Sequence, residues 1–174
     1  MSSSFYYSFL RPIPPGVSSD SVKSLLHEPS NIIKLSPIVL EYHEVSDSHD
    51  SRPQPPNSRL YAVTDFVSYL PFGLYTGTVT VNVEFATQED GMLVTRHAPL
   101  GLVFRERWIV QERGLSGAAT EQVGGTAKAE SELALRVEMT GNYLTLLLFK
   151  GMMQKNHKAY LDEMISTMEG TKKT

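Results

Sequence analysis

The sequence predicts an α+β protein in which a curved antiparallel sheet of about seven strands wraps a long C-terminal helix, with two short helices between the first and second strands. Three observations lead there. The C-terminal stretch carries an apolar stripe, Leu146, Phe149, Met153, His157, Tyr160, Leu161, Met164 and Met168, whose steps of three and four put these side chains on one helical face. Most of the remaining chain reads as strand after strand, most clearly where Val79, Val81, Val83 and Phe85 alternate with Thr78, Thr80, Asn82 and Glu84. Two short helical stretches, each ended by a proline, stand near the start.

The elements follow in order. Phe5 to Leu10 is rich in aromatic residues and runs into Pro12, Pro14 and Pro15, which makes it a strand stopped by prolines. Ser18 to His27 reads as a helix capped by Ser18, Ser19 or Asp20, with Val22, Leu25 and Leu26 inward. Ser30 to Leu35 offers a second, capped by Ser30 and closed by Pro37. Ile38 to Val45 returns to strand, and residues 46–57, with almost nothing to bury, read as a flexible loop. Leu60 to Tyr69 is the next strand, followed by a Pro71-Phe72-Gly73 turn and the Thr78 to Phe85 strand. Glu89-Asp90-Gly91 supplies hairpin chemistry before Met92 to His97, and Pro99-Leu100-Gly101 turns the chain into Leu102 to Glu112. Residues 114–128 are small and Gly-rich, a second flexible loop, before Leu133, Leu135, Val137 and Met139 mark a last strand. A competing reading makes Met139-Thr140-Gly141-Asn142 a hairpin turn, Tyr143 to Lys150 another strand, and the helix begin only at Gly151. Asn142 as a cap and the continuous stripe favour the longer helix.

The 174 residues and 41% hydrophobic content suit a single domain over 1–174 with an ordinary core. A net charge of −3, a pI near 5.9 and the lack of a basic stripe argue against a nucleic-acid partner. The absence of cysteine excludes disulfides and thiolate chemistry, and the polar start Met1 to Ser4 lacks the regions of a signal peptide. A soluble, cytoplasmic protein without a membrane span is expected.

The runs Leu25-Leu26-His27-Glu28-Pro29, Tyr61-Ala62-Val63-Thr64-Asp65, Ala98-Pro99-Leu100-Gly101-Leu102 and Trp108-Ile109-Val110, with the order of elements, resemble the helix-grip superfamily of START domains, plant pathogenesis-related ligand binders and polyketide cyclases. Within it they are similar to a group of small uncharacterised fungal proteins. The resemblance spans nearly the whole chain. It implies a sheet wrapped on the terminal helix and an apolar cavity between them that binds, carries or transforms lipids, sterols or polyketides. Fold alone does not choose among those activities.

Standard catalytic constellations are missing. His27, His43, His49, His97 and His157 lack metal-ligand spacing, so no metal is expected. Gly124-Gly125-Thr126 lacks the lysine of a phosphate loop, and neither a dinucleotide fingerprint nor a nucleophile elbow occurs, so no cofactor is expected. Chemistry therefore rests on acid–base side chains or on binding shape. His157, on the apolar stripe, is one candidate catalytic residue; the competing reading is a core histidine satisfied by a carbonyl or a tyrosine. Asp65, sharing a strand face with Tyr61, Val63 and Val67, is the other, and an inward aspartate needs a partner such as Arg105 or Arg107. Tyr61, Trp108, Arg105, Phe85, Met153 and Tyr7 complete the expected substrate-binding set, although Trp108 also suits plain core packing. Tyr75 and Tyr143 offer further hydroxyls. Neither face of the Trp108 strand is cleanly apolar, which suits a partly polar cavity or a homodimer contact.

Two functions follow. One is a cofactor-independent cyclase, isomerase or lyase acting on a polyketide- or terpenoid-like metabolite of fungal secondary metabolism, with His157 or Asp65 moving a proton. The other is a non-catalytic carrier of a lipid or other apolar metabolite. A dimeric interaction module with a filled core is a third reading, and the Met-rich stripe suits all of them.

Overall fold

The computed structural model describes residues 2–45, 57–68, 76–112 and 131–170, and the loops expected at 46–57 and 114–128, the Pro71-Phe72-Gly73 turn and Tyr75 lie outside the described residues apart from Asn57. Strand β1 spans Ser2–Pro12, α1 Ser19–Leu26, α2 Pro29–Lys34, β2 Val39–Glu44, β3 Ser58–Ser68 and β4 Thr76–Gln88. β5 spans Gly91–Ala98, β6 Leu102–Glu112, β7 Ser131–Asn142 and α3 Tyr143–Gly170. Among the described residues the strands form one seven-stranded sheet in the order β1-β7-β6-β5-β4-β3-β2, every neighbouring pair antiparallel. This is the expected helix-grip architecture, a curved sheet against a long C-terminal helix. None of the described helices is long and apolar enough to cross a membrane.

Local chemistry explains the element ends. The Ser18 hydroxyl accepts the Ser21 N–H at 3.1 Å and caps α1, a contact that contributes about 1 kcal/mol. α2 starts two residues earlier than a Ser30 cap implies, with Pro29 in its first turn and no side-chain cap at Glu28; proline's fixed φ suits that place. The Asn142 side-chain oxygen accepts the Leu144 N–H at 2.9 Å and opens α3 where β7 ends. The alternative strand from Tyr143 to Lys150 does not form, because these residues are helical.

Strands run past their apolar cores. β1 begins at Ser2, not Phe5, and its serines pair with Thr140, Gly141 and Asn142 of β7. Ladder hydrogen bonds come from the backbone, so polar side chains do not stop them.

The sheet's inner face and the α3 stripe form the core. Trp108, Met92, Leu135, Leu161 and Met164 are fully buried. Each such side chain contributes about 1.5–3 kcal/mol relative to exposure. Val22 and Leu26 of α1 and Ile32 and Ile33 of α2 join the same cluster.

Candidate functional site

A cavity of about 320 Å³ lies between the sheet and the N-terminal half of α3. That is at the lower end of ligand pockets, about 300–1,000 Å³. Val67, Val79, Val81, Leu102, Phe104, Phe149 and Met153 make most of the wall apolar. Phe66, Leu100 and Met152 also line it and are exposed. Leu100 holds φ 62°, ψ 21° in the turn from β5 to β6, a left-handed conformation that costs a non-glycine residue roughly 1–2 kcal/mol.

Alternation along the strands sends three ionisable groups into this wall. β3 turns Asp65 inward with Tyr61 and Val63, β5 turns Arg96 inward with Met92 and Val94, and β6 turns Glu106 inward with Phe104 and Trp108. The apolar stripe of α3 brings His157 and Tyr160 from the other side.

Two connected arrays result. Arg96 Nη1 donates to Asp65 Oδ2 at 2.8 Å, a single contact that leaves Asp65 Oδ1 and Arg96 Nε buried without a hydrogen-bond partner among the described residues. His157 Nε2 lies 3.2 Å from Glu106 Oε1, and His157 Nδ1 lies 2.7 Å from the Tyr7 hydroxyl. A carboxylate only accepts, so Nε2 carries the proton and, in the neutral ring, Nδ1 accepts from Tyr7. Tyr160 meets the Ser36 hydroxyl at 2.9 Å.

The two carboxyl groups are driven apart. Burial raises the Asp65 pKa, with the nearby Glu106 charge adding to it and Arg96 only partly opposing it. Burial also opposes ionisation of Glu106, but the charge and hydrogen bond of His157, then the charge of Arg96, outweigh it and lower the pKa. Among the described residues the Trp108 nitrogen makes no contact of hydrogen-bond geometry. Burial, with the charge on Glu106, pushes the Tyr7 hydroxyl well above its ordinary value. A pair of carboxyl groups separated in this way can divide the labour of acid–base chemistry, one exchanging a proton and one staying charged.

The expected residues divide. His157, Asp65 and Met153 line the cavity, and Tyr7 reaches it through His157. Both His157 nitrogens face protein groups, so the ring presents no free nitrogen to a ligand.

Trp108, Phe85 and Tyr61 do not line the cavity. Trp108 is core, Phe85 packs edge-on to Tyr61 with ring centres 5.5 Å apart, and the Tyr61 hydroxyl points to Glu44 at 3.4 Å. They share the inner face, but a strand of about ten residues is some 33 Å long and the cavity occupies only part of it.

Arg105 is a correction. It projects from the opposite face of β6, lies half exposed, and faces Glu138 at 3.5 Å, while Arg107 meets Asp90 at 3.1 Å. Neither partners Asp65; Arg96 does. Tyr143 is exposed at the start of α3.

Arg96, Glu106, Tyr160 and Ser36 were not singled out from the sequence. Period two counted from Met92 and Val94 reaches Arg96, and counted from Trp108 and Phe104 it reaches Glu106. Nothing local points to Ser36, which meets Tyr160 from 124 residues away.

A protein-family model described as a domain of unknown function (DUF7053) matches residues 2–170. No curated protein matches the chain. Among solved structures it is similar to the di-domain ARO/CYC BexL from the BE-7585A biosynthetic pathway, with a TM-score of 0.61 and 9% identity over 94% of this chain and 49% of that one. It is similar to the di-domain ARO/CYC StfQ from the steffimycin biosynthetic pathway, with a TM-score of 0.63 and 11% identity over 98% and 53%. The chain thus spans about half the length of these two neighbours. Ara h 8.0201 aligns with a TM-score of 0.52 and 15% identity over 95% of this chain and 99% of that one. At these identities the likeness establishes the fold.

Proposed function

We propose a function for a chain that belongs to the DUF7053 family: it admits an apolar metabolite to the cavity beneath α3 and rearranges it by proton transfer, as a cofactor-independent cyclase, isomerase or lyase. The observation that carries this reading is the Asp65 carboxyl. It is buried in an apolar wall, has a raised pKa, is held at one oxygen by Arg96 and is unpartnered at the other among the described residues. A carboxyl tuned upward is suited to exchanging protons near neutral pH.

In the proposed step Asp65 takes a proton from a carbon beside a carbonyl. Arg96 stabilises the negative charge that develops on the carbonyl oxygen. The proton returns to another carbon in an isomerisation, or to a departing hydroxyl that leaves as water in a lyase reaction; in a cyclisation the deprotonated carbon bonds to a second carbonyl carbon of the same molecule and the proton returns to that carbonyl's oxygen. His157, met by Tyr7 at its other nitrogen, acts one layer out and holds Glu106 ionised. The two ARO/CYC neighbours support a polyketide-like substrate, with a terpenoid-like one as the nearest variant. In this reading the chain works as one domain over residues 1–174, in the cytosol, within fungal secondary metabolism.

Native mass spectrometry of protein purified from its producer, followed by turnover assays on the retained molecule, tests this. Asp65→Asn is expected to abolish turnover while binding persists. Unchanged turnover would remove Asp65 from the chemistry. The engagement of both His157 nitrogens favours a second reading, in which the polar groups only orient an apolar ligand that is carried unchanged; a retained molecule that is bound and released intact would support it.

A further inference from the structure

The cavity has a polar floor and an apolar rim. Asp65, Glu106, His157 and Tyr160 are at most 7% exposed, whereas Phe66 and Leu100 are 46% and 68% exposed. A ligand that matches both ends puts its polar group deep, beside Asp65 and Arg96, and its apolar body against the rim. Both residues have capacity to meet that group. Asp65 Oδ1, an acceptor when ionised, and Arg96 Nε, a donor, have no partner among the described residues.

The charges already in the wall decide what the polar group can be. Among the described residues that line the cavity Arg96 is the only arginine or lysine, and it stands with two carboxyl groups, Asp65 and Glu106. Arg96 Nη1 is taken by Asp65 at 2.8 Å. His157 is 3.2 Å from Glu106 at one nitrogen and meets Tyr7 at the other, so it offers no free cationic donor. Lys150 of α3 lies over the Phe5 ring instead, 5.8 Å from its centre.

A ligand carboxylate on this floor would be a third acid group beside one guanidinium. Burying such a charge without a partner costs far more than burying a hydroxyl or carbonyl that is hydrogen-bonded. A carboxylate left at the rim would instead lay its apolar chain on the ionic floor, and Phe66, Leu100 and Met152 offer it no cation.

We infer that the cavity selects uncharged ligands carrying a hydroxyl or carbonyl at one end and refuses the corresponding carboxylic acids, with Asp65, paired to Arg96, as the selecting residue. The inference rests on the cavity function proposed above and narrows it. A molecule that reaches this site has its acid esterified, reduced or absent, so the reaction that supplies it yields an ester, ketone or alcohol and not a free acid.

Displacement of the neutral fluorophore N-phenylnaphthylamine from the full chain tests this at about pH 8, where a carboxylic acid is ionised. Decanol, methyl decanoate and decanoate differ at one end only and suit a cavity of about 320 Å³, roughly ten water-sized groups at about 30 Å³ each. Decanol and the ester are expected to bind about tenfold or more tighter than decanoate. Asp65→Asn separates selection by this residue from the better hydration of the acid. It releases Arg96 from its carboxylate, and the preference for decanol over decanoate should shrink about tenfold. A thermal melt shows whether the variant is folded, and Asp65→Ser takes its place if it is not. Decanoate that binds the wild-type protein as tightly as decanol overturns the inference and leaves the cavity function standing, as does a preference that is unchanged in the folded variant. If neither the fluorophore nor any of the three compounds binds, the cavity function itself fails, and the inference with it.

Discussion

Glu106 and Asp65 carry opposite electrostatic burdens, and single substitutions should reveal both. The folded state depresses the Glu106 pKa, so its ionisation stabilises the fold above the unfolded value of about 4.3, and that contribution is lost as pH falls through the folded value. Glu106→Gln is expected to destabilise the protein by about 3 kcal/mol at pH 7 by breaking a buried pair. Melts should show this difference closing below about pH 4. Asp65 has the reverse sign. Its folded pKa is raised, so stability falls as pH rises from about 3.9 toward the folded value and then levels. If Asp65 acts as the base, the rising limb of kcat/KM against pH should lie above the ordinary carboxylate range, and a limb near 3.9 would argue for another group. Asp65 and His157 were legible as inward polar residues because each breaks an apolar repeat. Their partners were harder to read. Asp65 is paired by a residue 31 positions away, and alternation says which way a side chain points without saying which charge stands opposite.

At the scale of elements, alternation and helical stripes were read well and element ends less well. β7 continues through Met139, Thr140 and Gly141 to Asn142, because β6 offers paired backbone as far as Thr140 and β1 as far as Asn142. Arg105 shows the same boundary of legibility: β6 carries polar residues on both faces, and only its seating between β5 and β7 shows that the Glu106 face is inner. Gly91 has an equally tertiary reason. A Cβ there would run into the Trp108 carbonyl oxygen of the neighbouring strand β6. Gly91→Ala is expected to cost about 3 kcal/mol or more, because rigid backbone has to move. Urea unfolding measures it, and a midpoint equal to wild type would mean that the strands separate with ease.

For the whole molecule, the cavity is the space that α3 and the sheet leave unfilled. Val79 lines it and is half-buried. Val79→Phe is expected to fill it with apolar volume, weakening an apolar fluorescent probe about tenfold or more while Tm stays within a few degrees. Displacement fluorescence and a melt make the pair of measurements. Full probe binding by that variant would place the ligand elsewhere. The same hollow lets Asp65 and Arg96 keep polar atoms that are unpartnered among the described residues, which close packing would otherwise force into pairs or exclude.

The sequence by itself determined the sheet and helix order, the inward stripe of α3, and the presence of His157 and Asp65 on apolar faces, because each of these follows from a local period of two or of three to four residues. Only the tertiary structure decided that Arg96 holds Asp65, that Tyr7 and Glu106 close both nitrogens of His157, and that Trp108 and Phe85 are core. Those outcomes depend on strand register and on where the helix stops filling the sheet, and both are set by contacts between residues far apart in the chain.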